Sequence, residues 1–472
     1  MKPSPRFTLM FALLVVFGLT ISGYGQGAAA DPEAAAAISN GQAGFVGPVL
    51  PVDVRQTQPG QLTISSSTVF DAVTGAVVGA GGGQGSARTN TPAAQAGNDD
   101  SLVNGEVRHT PLGGTIDGLD TIATFDGAFA AGAGPSTGKL FRFSMIGNHP
   151  LAGDTTVIPA QIDEISLTLL NADGSVLTTV PFAPFEQATL ESPNFEPLDY
   201  RSGRNIQYGD AIHRAQFFNR MDKDWHTVLV PHVVNKVSIT VPRFVNVQLS
   251  NGTIIQARSY FIGTAADGST FVLMLNLLFN FFFDNEVVNQ INLGNFTTKS
   301  LNMTLFPNTY LFSLNVNNPN TPGGCCVLGF HTFFLDPSAT PQPRWITQYA
   351  SWISPGIFGG GFQDVTALSH ETAEAFADPF IDNVTPSWQF PGEPPTAKVC
   401  QGNLEEGDPI EVLPNAVNPI TVKEPHFSFT YHPQIIPLLQ WFEMGATSNA
   451  IDGAFSFPDE TALPHSALPC PQ

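Results

Sequence analysis

The segment Ser369-His370-Glu371-Thr372-Ala373-Glu374-Ala375-Phe376-Ala377-Asp378-Pro379 places one imidazole and three carboxylates within nine positions, and no Lys or Arg occurs from Trp345 to Ala397. Those side-chain types are ligands for a divalent cation. With about 100° of turn per residue and His370 as zero, Glu374 falls at about 40°, Asp378 at about 80° and Glu371 at about 100°. Val365, Leu368, Thr372, Ala375 and Phe376 gather on the opposite side. The spacing therefore predicts a helix with one apolar and one ionisable face, capped by Asp364 and stopped at Pro379, which pushes Asp378 out of the α region. Acids in its second half oppose the macrodipole and repel one another, each effect costing about 0.3 to 1 kcal/mol. A bound cation converts that cost into a gain. The plain alternative is an acidic helix face turned to solvent.

His370-Glu371-x-x-Glu374 differs from the zincin pattern His-Glu-x-x-His only at the second ligand. In a zincin the first and fifth residues bind Zn²⁺ because i and i+4 share a face, and the glutamate between them polarises the attacking water. Zinc accepts a carboxylate oxygen, although the added charge weakens it as a Lewis acid and admits harder ions. This predicts His370 and Glu374 as ligands and Glu371 as general base.

The run His370-Glu371-x-Ala373-Glu374-Ala375-x-x-Asp378-Pro379, with Glu405-Glu406-Gly407-Asp408 downstream, resembles a group of secreted bacterial proteins of unassigned function. That group is similar in pattern to the plant phosphate-induced protein 1/EXORDIUM family. Cys400-Gln401-Gly402 and Cys326-x-x-Gly329-Phe330-His331 match further elements around the helix. The resemblance covers roughly residues 325 to 442, and its specific part is the helix motif. It implies a zincin-like metal site more directly than an activity.

A zincin draws its third ligand from beyond the motif helix. Glu405 is the expected one: it follows the helix by about thirty residues, as in many single-motif zinc hydrolases, and it is the glutamate of the resembling Glu-x-Gly-Asp segment. Asp408 and Asp378 are its rivals, with Asp378 also suited to supporting a ligand or capping a loop. His331 is a further candidate, but between Phe330, Phe333 and Phe334 it reads more simply as a buried, hydrogen-bonded imidazole.

Composition narrows the partners. A net charge of −21 with only 12% charged residues excludes nucleic acid and anionic lipid as binding partners on electrostatic grounds. Lys2 and Arg6, the apolar run Thr8 to Ile21 and the small residues Gly23 to Ala30 read as a secretory signal, so the mature chain is expected outside the cytoplasm and off the membrane. Cys325, Cys326, Cys400 and Cys470 suit an oxidising compartment and two bridges, with the adjacent pair expected to bridge outward.

Stepping along the chain, residues 1–30 are the signal, and residues 31–135, rich in Gly and Ala, read as a flexible leader. Residues 136–320 are β-rich and residues 321–472 hold the zincin-like metal-binding region. Ile165 to Leu170 and Val176 to Val180 form a predicted hairpin, and Val245, Val247 and Leu249 alternate before the turn Asn251-Gly252. The apolar run Phe271 to Phe283 predicts a central strand. Tyr208 to Arg220 predicts an amphipathic helix, with Asp210, His213 and Arg214 on a solvated face. A further helix is predicted at Gln434 to Phe442. The expected fold is α+β: a mixed sheet, a backing helix and a zincin-like active-site helix after a leader, the β-rich region being either half of the metal-binding domain or a separate sandwich.

Three functions fit the sequence. The first is a secreted metallopeptidase that activates water on Zn²⁺ held by His370, Glu374 and Glu405, with peptide or protein as substrate. The second keeps the metal as a non-catalytic structural element, and the third is a β-rich surface protein without metal.

Overall fold

The computed structural model describes residues 30–40, 49–78, 110–111, 118–389, 401–444 and 463, apart from short interior gaps at 58, 61, 74–75, 133–135, 201–204, 218–219, 360, 412, 414–415 and 425–426. The signal segment, the Gly79–Gly85 run, Cys400 and Cys470 lie outside the described residues.

The fold is mixed α+β. Its central sheet runs Val52–Asp53, Gly329–Leu335, Gln342–Trp352, Leu301–Pro307, Thr155–Leu170, His226–Val241. The last four of these strands are mutually parallel, whereas Gly329–Leu335 runs antiparallel to Gln342–Trp352. Parallel central strands are covered on both faces, and Leu301–Pro307 is buried at every residue, as such strands are. The two predicted hairpins are present: Val176–Val180 returns on Thr155–Leu170, and Ile254–Arg258 pairs with Phe244–Gln248 around Gly252, whose φ is +81°.

Four expectations need correction. Phe271 to Phe283 is not one strand: Thr270–Leu275 is a strand, and Asn276–Leu293 is a helix that buries Phe279, Phe281, Phe282 and Phe283. A run that is apolar all round carries neither period, and here the longer helix takes it. The helix at Tyr208–Gln216 has no solvated face, since all nine residues are buried. Asp210 accepts from the Thr227 amide at 2.9 Å and meets His226 Nδ1 at 2.6 Å. His213 bonds the Ile146 carbonyl at 2.8 Å, and Arg214 donates to the Trp225 and Lys223 carbonyls.

The leader is not loose where it is described. Ala34, Val52, Phe70, Phe125 and Phe129 belong to the same buried core as the central sheet. Thr124–Ala130 pairs with Leu140–Ile146, and the Asp31 carboxylate accepts from the Ile262 amide and pairs with Arg243 and Arg258. A few aromatics and one aspartate pin a segment whose composition is otherwise that of a linker. The adjacent cysteines, expected to bridge outward, are bonded to each other across a cis peptide in the strand Pro322–Val327. Among the described residues no helix is long and apolar enough to cross a membrane.

Candidate metal centre

The motif helix is present at Thr366–Ala377 and ends, as Pro379 requires, at Asp378. Its start differs from expectation. Val365 occupies the cap position without a side-chain cap bond, while Asp364, at φ +45°, accepts from the Val365 and His432 amides at 2.7 and 2.8 Å. Its second oxygen meets His432 Nδ1 at 2.7 Å. Nor does the helix show an acidic face to water, because all twelve residues are buried. It is enclosed by the two sheet strands Gly329–Leu335 and Gln342–Trp352, the helix Tyr208–Gln216, and the stretches around Glu405–Asp408 and Gln434.

Two glycines make this enclosure fit. A Cβ on Gly407 would lie 2.2 Å from His370 Nδ1, and one on Gly329 would lie 2.6 Å from Glu371 Oε1. Each approach is closer than any side chain allows, so the loop and the strand close on the helix only where they lack side chains.

Around the helix stand six carboxylates, Glu371, Glu374, Asp378, Glu405, Glu406 and Asp408, with His331 and His370; none of the eight is more than 3% exposed. His370 Nε2 lies 3.0 Å from Glu374 Oε1, 3.5 Å from Asp408 Oδ1 and 3.9 Å from Glu371 Oε1. His331 Nδ1 lies 3.5 Å from Glu374 Oε2, 3.6 Å from Glu371 Oε2 and 3.9 Å from Glu405 Oε2. The structure thus brings His370 and Glu374 together as the sequence predicts. Asp408 completes a donor set with them, and Glu405 stands beside His331. Asp378 Oδ1 accepts from the Asp382 and Asn383 amides at 2.9 and 3.0 Å, so it caps the loop after the helix.

The hydrogen bonds behind the imidazoles fix which nitrogen faces the acids. Gln434 Nε2 donates to the Gly407 carbonyl at 2.7 Å, which turns its Oε1 toward His370 Nδ1 at 3.0 Å. An amide oxygen only accepts, so Nδ1 carries the proton and Nε2 turns its lone pair to Glu374 and Asp408. His331 Nε2 likewise donates to the Asp378 carbonyl at 3.0 Å, leaving Nδ1 toward Glu371, Glu374 and Glu405. Metal-binding histidines are held in this manner, the outer N–H tied to a carbonyl and the inner nitrogen free to coordinate. Without a cation, a proton on each inner nitrogen takes its place against the buried carboxylates.

Electrostatics agrees. Burial alone would lower the pKa of both imidazoles, but Glu374, Asp408 and Glu371 around His370, and Glu405, Glu371 and Glu374 around His331, hold them well above the ordinary value. Burial would raise Glu374, yet His370 and His331 bring it down to about 2. Burial raises Glu371 to about 7, Asp408 to about 6 and Asp378 to about 8, and it pushes Glu405 and Glu406 well up. Both oxygens of Glu371 and of Asp408, and Oε1 of Glu405, have no hydrogen-bond partner. Buried anions without donors are costly, and this arrangement could hold a metal ion that would offset that cost.

Donors bound to one Zn²⁺ at about 2.0 to 2.2 Å lie at most roughly 4.3 Å apart. The 3.0 and 3.5 Å separations about His370 and the 3.5 and 3.6 Å separations about His331 satisfy that limit. His370, Glu374 and Asp408 form one group able to hold a metal, and His331, Glu371 and Glu374 form another. Gly407 was marked only as part of the resembling Glu-x-Gly-Asp segment, and Gln434 carried no signal of a role, because an amide sixty-four residues from its histidine becomes meaningful only after folding. No family model, no curated protein and no solved structure matches this chain.

Proposed function

We propose that this protein is a secreted metal-dependent hydrolase of zincin-like design, with peptide or protein as its substrate class. One observation carries the reading: beside the His370, Glu374 and Asp408 donors stands Glu371, a buried carboxylate with no hydrogen-bond donor on either oxygen and a pKa raised by burial to about 7. A general base is most effective with its pKa near the working pH. A divalent cation at these donors, Zn²⁺ first and harder ions next, would supply Lewis acidity toward a water and a carbonyl oxygen.

In this reading the residues divide the work. His370, Glu374 and Asp408 hold the cation, in place of the expected His370, Glu374 and Glu405. Glu371 takes a proton from the attacking water and returns it to the leaving amine. Gln434 keeps His370 in the coordinating tautomer, and the Gly407 amide, donating to Glu374 Oε1 at 2.9 Å, orients the carboxylate.

Complete burial favours a second reading in which the cation is structural. With Glu371 and His370 both 0% exposed, a peptide reaches neither without a rearrangement. The two readings separate on Glu371→Gln. If the protein is a hydrolase, chelator abolishes cleavage of an unstructured peptide library, Zn²⁺ restores it, and Glu371→Gln lowers it by roughly 10² to 10⁴ with metal content intact. Indistinguishable wild type and Glu371→Gln, both fully loaded, would leave the structural reading standing.

A further inference from the structure

The Glu374 carboxylate faces two ways: Oε1 looks to His370 at 3.0 Å and Oε2 looks to His331 at 3.5 Å. Its neighbours divide accordingly, with Asp408 on the His370 side and Glu371 and Glu405 on the His331 side. From this geometry we infer that the centre holds two divalent transition-metal cations, one among His370, Glu374 and Asp408, the other among His331, Glu371 and Glu374 with Glu405 at its rim, bridged by Glu374. The inference rests on the metal-centre reading above and extends it to a site that no zincin motif contains.

Charge supports two ions over one. Glu371, Glu374, Glu405 and Asp408 are the four carboxylates that meet an imidazole in the cluster, and together they carry four negative charges. With both histidines neutral, one divalent cation leaves two of these charges uncompensated in a site where none of the four residues exceeds 2% exposure. Two cations bring the sum to zero, and uncompensated charge in such a place costs several kcal/mol per ion. Asp378 and Glu406 stand apart from the count because no described ion pair joins either to an imidazole; two backbone amides meet Asp378 Oδ1 and the Gln216 amide meets Glu406 Oε1, while their second oxygens have no hydrogen-bond partner.

The second position also has independent signs of a ligand. Both Glu371 oxygens and Glu405 Oε1 are buried without hydrogen-bond partners. His331 is tied by Nε2 to the Asp378 carbonyl, so that Nδ1 is the coordinating atom. Bridged two-metal sites place their ions about 3.5 to 4 Å apart, a span that one carboxylate covers. Glu371 then belongs to a ligand set, and its work as a base falls to the oxygen that does not coordinate.

The full secreted chain, stripped by chelator and titrated with Zn²⁺ or Mn²⁺ alone, is expected to take up two ions per chain by mass spectrometry and calorimetry. The Mn²⁺-loaded protein should show the exchange-coupled electron paramagnetic resonance of a bridged pair. His331→Ala and Asp408→Asn should each retain one ion and lose the coupling, and Glu374→Gln should weaken both positions at least tenfold. One ion in wild type, with an isolated Mn²⁺ spectrum, overturns the bridged pair and leaves the single centre intact. No ion at all overturns both. Wild-type stoichiometry and spectrum decide the matter even where a variant fails to fold, and circular dichroism identifies such variants.

Discussion

This chain buries two groups of carboxylates, and they are built differently. Asp163 on the strand Thr155–Leu170 and Glu286 on the helix Asn276–Leu293 meet side-chain amides: Asn235 donates to Asp163 at 2.9 Å and to Glu286 at 3.2 Å, and Gln290 donates to Glu286 at 2.5 Å. Glu164 next to them has Lys236 at 3.2 Å. Burial and then the charge of Glu286 raise the Asp163 pKa well above its ordinary value, and the group meets its charge with amides and a lysine. Among the described residues no lysine or arginine forms an ion pair with the carboxylates around the motif helix; the ion pairs there come from two imidazoles whose outer nitrogens are already engaged. A carboxylate cluster furnished with donors is architecture. One furnished with inward-facing imidazole nitrogens could hold a metal ion.

Removing ligands should break that contrast most visibly. His370→Ala and Glu374→Ala are expected to lose metal and lower the melting temperature, whereas Glu371→Gln keeps at least the ion at His370, Glu374 and Asp408. At a free metal concentration a thousandfold above Kd, the ion contributes about 4 kcal/mol of stability. Asp163→Asn, which mimics the protonated group, should change stability by less than about 1 kcal/mol and leave metal content unchanged. Metal analysis and melting curves on the four variants check the set, and equal loss in all of them would erase the distinction.

Next in size is Gly407→Ala. Its Cβ would lie 2.2 Å from His370 Nδ1 against a rigid ring, so it should displace His370 and remove the ion as His370→Ala does, without touching any donor. Metal content of this variant equal to wild type would contradict the packing described.

Proton linkage sharpens the comparison in the metal-free protein. Glu371 and Asp378 have folded-state pKa values raised to about 7 and about 8 from ordinary values of 4.5 and 3.8. The native state therefore binds more protons than the unfolded state across that interval, and the stability these groups support is full below the unfolded values and is lost as pH rises through about 7 to 8. Glu374, lowered to about 2, works in the opposite sense, its contribution being lost only as pH falls below its unfolded value of 4.5. Denaturant melts of the stripped protein should thus weaken from pH 5 to pH 8, and added Zn²⁺ should remove the part due to Glu371 and leave that of Asp378, which holds no ion. A slope unchanged by metal would place its origin elsewhere.

The smallest expected effect belongs to Gln434→Ala, which removes the carbonyl that fixes the His370 tautomer. Outer hydrogen-bond partners of this kind contribute about 10 to 100-fold in metal affinity. Calorimetric titration at fixed pH measures it.

The motif helix was legible because its ligand types recur at helical spacing and a proline ends it. Its surroundings were not. Nothing in the local sequence distinguishes an acidic face turned to water from one enclosed by Gly329, Gly407 and Gln434, since those partners arrive from 41 residues upstream of His370 to 64 downstream. The choice between Glu405 and Asp408 is of the same kind: three residues apart on an irregular stretch, they reach opposite imidazoles, and only the fold decides which. The Phe271 to Phe283 run failed for want of a period, and the leader failed because pattern averages hide single anchoring residues such as Phe70 and Phe125. The hairpins were readable because Asn171–Ser175 and Asn251–Gly252 carry their own turn chemistry.

The stretch from His432 to Leu439 has a bearing on biosynthesis. Gln434 bonds His370, the Gly407 carbonyl and Ser369, His432 meets Asp364, and the Leu439 amide donates to Gln216. These contacts form sixty-four residues of synthesis after His370 itself. A nascent chain emerging from a ribosome or a translocation channel presents its histidines and acids long before the piece that orients and shuts them in. On the proposed metal reading, the site cannot close around an ion until residues 432 to 439 dock, late in the life of the polypeptide.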